Sequence, residues 1–176
     1  CRCAARDRAR TVRREWRLAA TEHGGRMAIV LRRLTEADAE LAARMVHALL
    51  TELSPEARIE RVALEQAARD VLAMDTAFGL LASSEDTPVG LMMLNESATI
   101  YAGGRIGTIT ELYVVPDYRS KRVAPEFMQA AIALGRDRGW GRLEVGAPKQ
   151  PAWERTLAFY QREGFVEVGP RLKKSI

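Results

Sequence analysis

VVPDYRSKRVAPEF, residues 114–127, lies between an apolar run and a helical pattern. Upstream, RIGTITELYVV (105–115) has the composition of a buried strand. Downstream, Val123, Phe127, Ala130, Ala131 and Leu134 recur at three-to-four spacing, and Gly139 supplies the left-handed residue that ends a helix. GRLEVGA (141–147) follows, with Leu143 and Val145 alternating against Arg142 and Glu144. Strand 106–115, helix 123–138 and strand 141–147 therefore form a βαβ unit with a parallel, right-handed crossover. The loop leaving the first strand of such a unit aims several backbone N–H groups one way, and the helix dipole adds partial positive charge there. Arg119, Lys121 and Arg122 crowd that helix N-terminus, where cations cost a few tenths of a kcal/mol unless an anion sits among them. Small Ala124 allows close backbone approach. From the residues alone, an anion site and three solvated cations both remain open.

Working outward, MAIVLRRL (27–34) reads as a first strand, and Thr35 with Asp38 has the spacing of a capping box. Leu41, Met45, Leu49 and Leu53 give one helix an apolar face. Ser54-Pro55 reads as the cap and first position of a second helix, with Ile59, Val62, Ala63, Ala67 and Val71 as its apolar face, running to about Met74. AFGLLAS (77–83) and VGLMMLN (89–95), joined by Ser84 to Pro88, predict an antiparallel hairpin; Gly103-Gly104 turns the chain into strand 105–115. Beyond the βαβ unit, Pro151 opens a helix with Trp153, Leu157 and Tyr160 on one face, closed at Gly164, and FVEVGPRLKK (165–174) completes the sheet.

The net charge of +4 belongs to one end. Eight arginines face three acids before Met27, whereas nineteen bases face twenty acids from Met27 onward. Residues 1–26 read as a basic, disordered extension or sequence ahead of the true start; the other readings are an arm for nucleic acid or anionic lipid, and a transit peptide that Asp7, Glu15 and Glu22 argue against. Residues 27–176 form the single domain, within the usual size of about 100–200 residues. The two cysteines, Cys1 and Cys3, have no second pair to complete a zinc site, so no metal is expected. With no apolar run of 18 residues or more, no membrane partner is expected and the expected location is cytoplasmic.

ELYVVPDYRSKRVA resembles motif A of the GNAT superfamily of acyl-CoA N-acyltransferases, [Q/R]-x-x-G-x-[G/A], with Arg119 in the first position and Ala124 in the last. ERTLAFYQREGF, with Tyr160, Gly164 and Phe165, resembles the family's later helix, which carries a Tyr shortly before Gly-Phe. The resemblance runs from Met27 to the C-terminus and implies an α/β fold, a GNAT-like mixed sheet sandwiched by helices in the order β-α-α-β-β-β-α-β-α-β. It implies acetyl-CoA as co-substrate, a primary amine of a small molecule or peptide as acceptor, and a homodimer as the common assembly. Nucleic acid is not an implied partner.

The same resemblance assigns residues. Leu112, Tyr113 and Val114 would lie along the pantetheine arm, and Ser120, Lys121, Arg122, Val123, Ala124 and Pro125 would surround the pyrophosphate with Arg119. Tyr160 would be the general acid for the departing thiolate. Glu111, beside the presumed thioester, is the candidate base; its other reading is a solvent-facing or ion-paired strand residue. Arg122 stands where the family has a glycine, and Trp153 where many members have an asparagine, which keeps a non-catalytic CoA-binding module as the alternative. Asn95, Glu96 and Tyr101 are either acceptor-lining residues or an ordinary polar loop. His47 and the pair Met92-Met93 read as structural, and Trp140 as packing at the entrance to its strand.

Overall fold

In the computed structural model, which describes residues 28–56, 58–147, 151–169 and 174, the elements are β1 (Ile29–Arg33), α1 (Ala39–Leu53), α2 (Arg61–Leu72), β2 (Ala77–Ser84), β3 (Thr87–Thr99), β4 (Gly104–Val114), α3 (Val123–Arg138), β5 (Leu143–Val145) and α4 (Glu154–Arg162). They build a five-stranded sheet in the order β1-β2-β3-β4-β5. Pairing is antiparallel through β4, and β4 pairs β5 in parallel with α3 between them. The GNAT-like mixed α/β sheet expected from the sequence is the one that forms. None of the described helices is long and apolar enough to cross a membrane.

Strand alternation sorts the core into two layers. Leu80, Ala82, Met92, Leu94 and Ile109 point to one face, where Val123, Phe127, Met128, Ala130, Ala131 and Leu134 of α3 cover them together with Tyr160 of α4. Leu81, Leu91, Met93 and Tyr113 point to the other, against Ala42 and Met45 of α1 and the margins of α2 at Ala68 and Leu72. Because successive residues of a strand face opposite ways, one apolar run such as LMMLN serves both layers. Met92 and Met93 are core residues, one to each face.

The punctuation of the chain is local. Thr35 N–H and Oγ1 both donate to Asp38 Oδ2, at 2.9 and 3.1 Å, and Arg32 ties the same carboxylate back to β1 at 2.6 and 2.9 Å. The β2–β3 hairpin turns on Glu85 and Asp86, both at positive φ (49° and 62°), the backbone of a two-residue turn matched to strand twist. Gly139 ends α3 at φ 73°.

Three expectations are corrected. Ser54 closes α1 instead of opening α2: its N–H donates to the Leu50 C=O at 2.9 Å, and α2 begins at Arg61, with Glu60 preceding it. The apolar face assigned to α2 turns outward, with Val62 at 77% exposure and Val71 at 36%, because the helix packs through Ala68 and Leu72. No strand forms over residues 165–169, while 170–173 lie outside the described residues, as do residues 1–26.

A polar knot secures the strand pair at the heart of the βαβ unit. Glu96 on β3 accepts from Arg138 Nε and Nη2 at 2.8 and 2.9 Å, from the Trp140 indole N–H at 2.7 Å and from Arg105 at 3.1 Å. Arg138 holds the carboxyl below its ordinary range; burial opposes this and the Trp140 bond adds to it. Glu96 and Tyr101 accordingly have structural partners, Tyr101 hydrogen-bonding Glu144 at 3.4 Å beneath the Arg142 guanidinium. Trp140 lies across Gly107 and meets Phe78 edge-on at 5.9 Å. A Cβ at residue 107 would overlap Cε3 and Cζ3 of the indole. Gly107→Ala is expected to lower unfolding stability by about 1–3 kcal/mol, read from urea denaturation with the m-value unchanged.

Candidate active site

The register of β4 creates an opening. Its parallel pairing with β5 covers Gly107, Thr108 and Ile109 opposite Leu143, Glu144 and Val145. Among the described residues no strand continues that edge, so β4 runs five residues further, from Thr110 to Val114, with one side unpaired. Gly107 N–H donates to the Arg142 C=O at 3.1 Å, which turns Gly107 and Ile109 toward β5. An unbroken alternation would turn Glu111 and Tyr113 the same way. Instead Thr110 is an inserted residue: Ile109 opposes Leu94 and Glu111 opposes Met93. Val115 N–H then donates to the Val89 C=O at 3.0 Å, placing the backbone of Glu111 and Tyr113 toward β3 and that of Leu112 and Val114 toward the opening.

Of the three strand residues assigned to the pantetheine arm, Leu112 and Val114 thus offer main-chain groups to the gap. Tyr113 uses its own within the sheet, and its side chain is buried with α1 and α2. Burial pushes the Tyr113 phenol upward, Glu52 adds to the shift and Arg119 opposes it.

The loop beyond β4 has unusual backbone. Ser120 and Arg122 stand at φ 64° and 68°, a left-handed conformation that costs about 1 kcal/mol for a residue with a Cβ. Arg122 immediately precedes α3, and its C=O accepts the Glu126 N–H at 3.1 Å. Arg122 therefore adopts a backbone that glycine takes without strain, with its side chain exposed to solvent. Val123 and Ala124 start the helix with N–H groups that have no carbonyl four residues back within it, and Pro125 has no N–H to direct. Lys121 lies over the Tyr118 ring at 4.7 Å.

Arg119 is otherwise engaged. Its Nη2 lies 2.7 Å from both carboxylate oxygens of Glu52 on α1, and its Nε donates to the Val114 C=O at 3.0 Å. Its charge is therefore already matched, leaving Lys121 and Arg122 as the loop cations facing solvent. Sequence reading missed Glu52, which lies 67 positions from its partner on a separate helix with no local motif to mark it.

Tyr160 and Glu111 lie on opposite faces of the sheet. Tyr160 is 6% exposed, between Phe159 and Phe165 at ring distances of 5.4 and 5.5 Å, in the layer that Leu112, Val114 and Val145 border. Burial raises its phenol to about 12, so it stays protonated throughout the neutral range. Glu111 is half-buried on the α1/α2 face with Met93 opposite. Trp153 precedes α4, its C=O accepting the Thr156 and Leu157 N–H groups at 3.0 and 3.1 Å.

Residues 42–165 match the acetyltransferase (GNAT) family. No curated protein matches the chain by sequence. Among solved structures, ribosomal-protein-alanine N-acetyltransferase from Brucella melitensis biovar Abortus 2308 is 21% identical at a TM-score of 0.67, over 85% of this chain and 99% of that one. An aminoglycoside acetyltransferase from an uncultured soil metagenomic sample is 19% identical at 0.70, over 85% and 99%. A "predicted acetyltransferase with acetyl-CoA" from Clostridium acetobutylicum is 17% identical at 0.71, over 84% and 96%. Likeness at these identities is likeness of fold.

Two outcomes follow from the geometry. Arg122→Gly should raise unfolding stability by about 1 kcal/mol in urea denaturation, through relief of the left-handed backbone. For Tyr160, the unfolded chain loses the phenol proton first, so the stability this group contributes is full below about pH 10 and disappears as pH rises toward about 12. A pH series of unfolding should show that decline in the wild type, and Tyr160→Phe should remove its share of the slope.

Proposed function

The chain belongs to the acetyltransferase (GNAT) family, and from that premise we propose that it transfers an acetyl group from acetyl-CoA to a primary amine of a small molecule or peptide. The observation that carries this reading is the inserted Thr110, which turns Leu112 and Val114 to an edge with no strand partner among the described residues, leading directly into a loop with two left-handed residues and solvent-facing cations at the start of α3. An extended pantetheine arm has amide groups that can pair with such an edge, as an added strand would. A pyrophosphate suits the N–H groups of Val123 and Ala124 at the start of α3, with Lys121 and Arg122 adding charge and Ser120 shaping the backbone. Arg119 serves this site by holding the loop, and Pro125 by fixing the first turn of the helix. The residues present fit the group.

When bound, acetyl-CoA supplies an acetyl carbon activated by its thioester. Glu111 accepts a proton from the acceptor ammonium, directly or through water, leaving the nitrogen lone pair free to attack. Backbone N–H groups at the opening orient the carbonyl and draw its electrons as the C–N bond forms. Tyr160 gives its phenolic proton to sulfur as the C–S bond breaks, and regains one from solvent. The domain division, with residues 1–26 outside the catalytic unit, belongs to the same reading.

Thermal shift with acetyl-CoA, followed by thiol release over a panel of amines, tests the assignment. Stabilisation with turnover is the expected result, and no stabilisation at millimolar acetyl-CoA would sink it. Tyr160→Phe should lower kcat by about 100-fold with little change in acetyl-CoA affinity. Stabilisation without turnover of any amine, unaffected by that substitution, would point instead to a non-catalytic CoA-binding module.

A further inference from the structure

The loop between β4 and α3 holds two left-handed non-glycine residues, Ser120 and Arg122, without a side-chain cap at the start of the helix. Such a conformation persists only where surrounding contacts over-determine it. Tyr118 packs the loop onto one core layer and Val115 onto the other. The side-chain hydrogen bonds that reach the loop from a helix, among the described residues, are those of Arg119 with Glu52, whose partner guanidinium acts at three points together. Glu52 clamps the guanidinium at 2.7 Å to both oxygens, the same guanidinium closes the Val114 C=O at 3.0 Å, and it sits 6.0 Å from the centre of the Tyr113 ring. The Arg119 side chain, carried by the residue just before Ser120, thus joins the last turn of α1 to the end of the β4 edge.

We propose that Glu52 is a positioning residue for the cofactor loop, fixing Arg119 so that Ser120 to Ala124 keep the backbone that receives the pyrophosphate. This rests on the acetyl-CoA reading of the same site. With the carboxylate in place, Arg119 is occupied by Glu52 and Val114, the Val114 carbonyl is shielded from the incoming phosphates, and the amides of Val123 and Ala124 stay available. Without it, the guanidinium is free to swing toward the anion site and the loop relaxes out of its left-handed residues. Glu52 thereby links the helix pair on one face of the sheet to the cofactor loop on its edge.

Glu52→Ala, which leaves a good helix former on α1, is the direct variant. Hydrogen exchange on the protein without acetyl-CoA should show faster exchange of the amides of residues 119–124, with α1 and the sheet unchanged. Acetyl-CoA should bind about three- to tenfold more weakly, with the loss appearing in its KM more than in kcat. A double-mutant cycle separates the shared role from two independent ones: Glu52→Ala should add nothing further to Arg119→Gln, because the first acts through the second. Unaltered loop exchange in Glu52→Ala, or effects that multiply in the double variant, would overturn the proposal. A wild type that binds no acetyl-CoA while its loop still depends on Glu52 would remove the acetyl-CoA reading and leave Glu52 as the loop's anchor.

Discussion

A single inserted residue governs the geometry of the candidate site. Strand pairing obliges backbone groups to alternate between neighbours, so an uninterrupted β4 would have turned Glu111 and Tyr113 toward the side where β5 runs out. Thr110 shifts that alternation by one. Leu112 and Val114 then face the opening, while Tyr113 keeps its hydrogen bonds to β3 and its ring in the core beside α1. The insertion leaves the sheet intact on one side and, among the described residues, an edge without a strand partner on the other. Polar backbone left unpaired beside a core is costly unless something pairs with it, which is why such an edge argues for a ligand.

The two-layered core makes that edge rigid. β3 contributes Leu91 and Met93 to one layer and Met92 and Leu94 to the other, so neither helix layer can shift without disturbing the strand that anchors β4. At one end of the βαβ unit, Glu96 gathers Arg105, Arg138 and Trp140; at the other, Glu52 gathers Arg119. Both acids are fixed by arginines distant in sequence, and each ties a helix end to a strand. The opening lies between these two ties.

Much of this was legible in the residues. The βαβ unit, the hairpin and the helix ending at Gly139 all rest on local period and turn chemistry, and each formed where the pattern placed it. Ser54-Pro55 misled because a cap sequence describes what a residue can do locally, whereas Ser54 was recruited as the last hydrogen-bonded residue of α1. The face of α2 misled because Val62, Ala63, Ala67 and Val71 lie on the exposed side of the helix, and small Ala68 packs where larger Val62 does not. In the loop, the crowding of Arg119, Lys121 and Arg122 was visible, but not that one of the three is neutralised by a helix far upstream.

By itself the sequence determined the order of elements, the parallel unit and the resemblance that named candidate residues, because these depend on periodicity and on contacts between near neighbours. Only the tertiary structure decided which backbone groups of β4 face the opening, that Arg122 occupies a glycine's conformation, and that Glu52 holds Arg119. Register and ion pairing are set by residues tens of positions apart, brought together when both faces of the sheet are buried at once. No local pattern carries that information, since the same residues would be read identically if the sheet had closed one residue out of step.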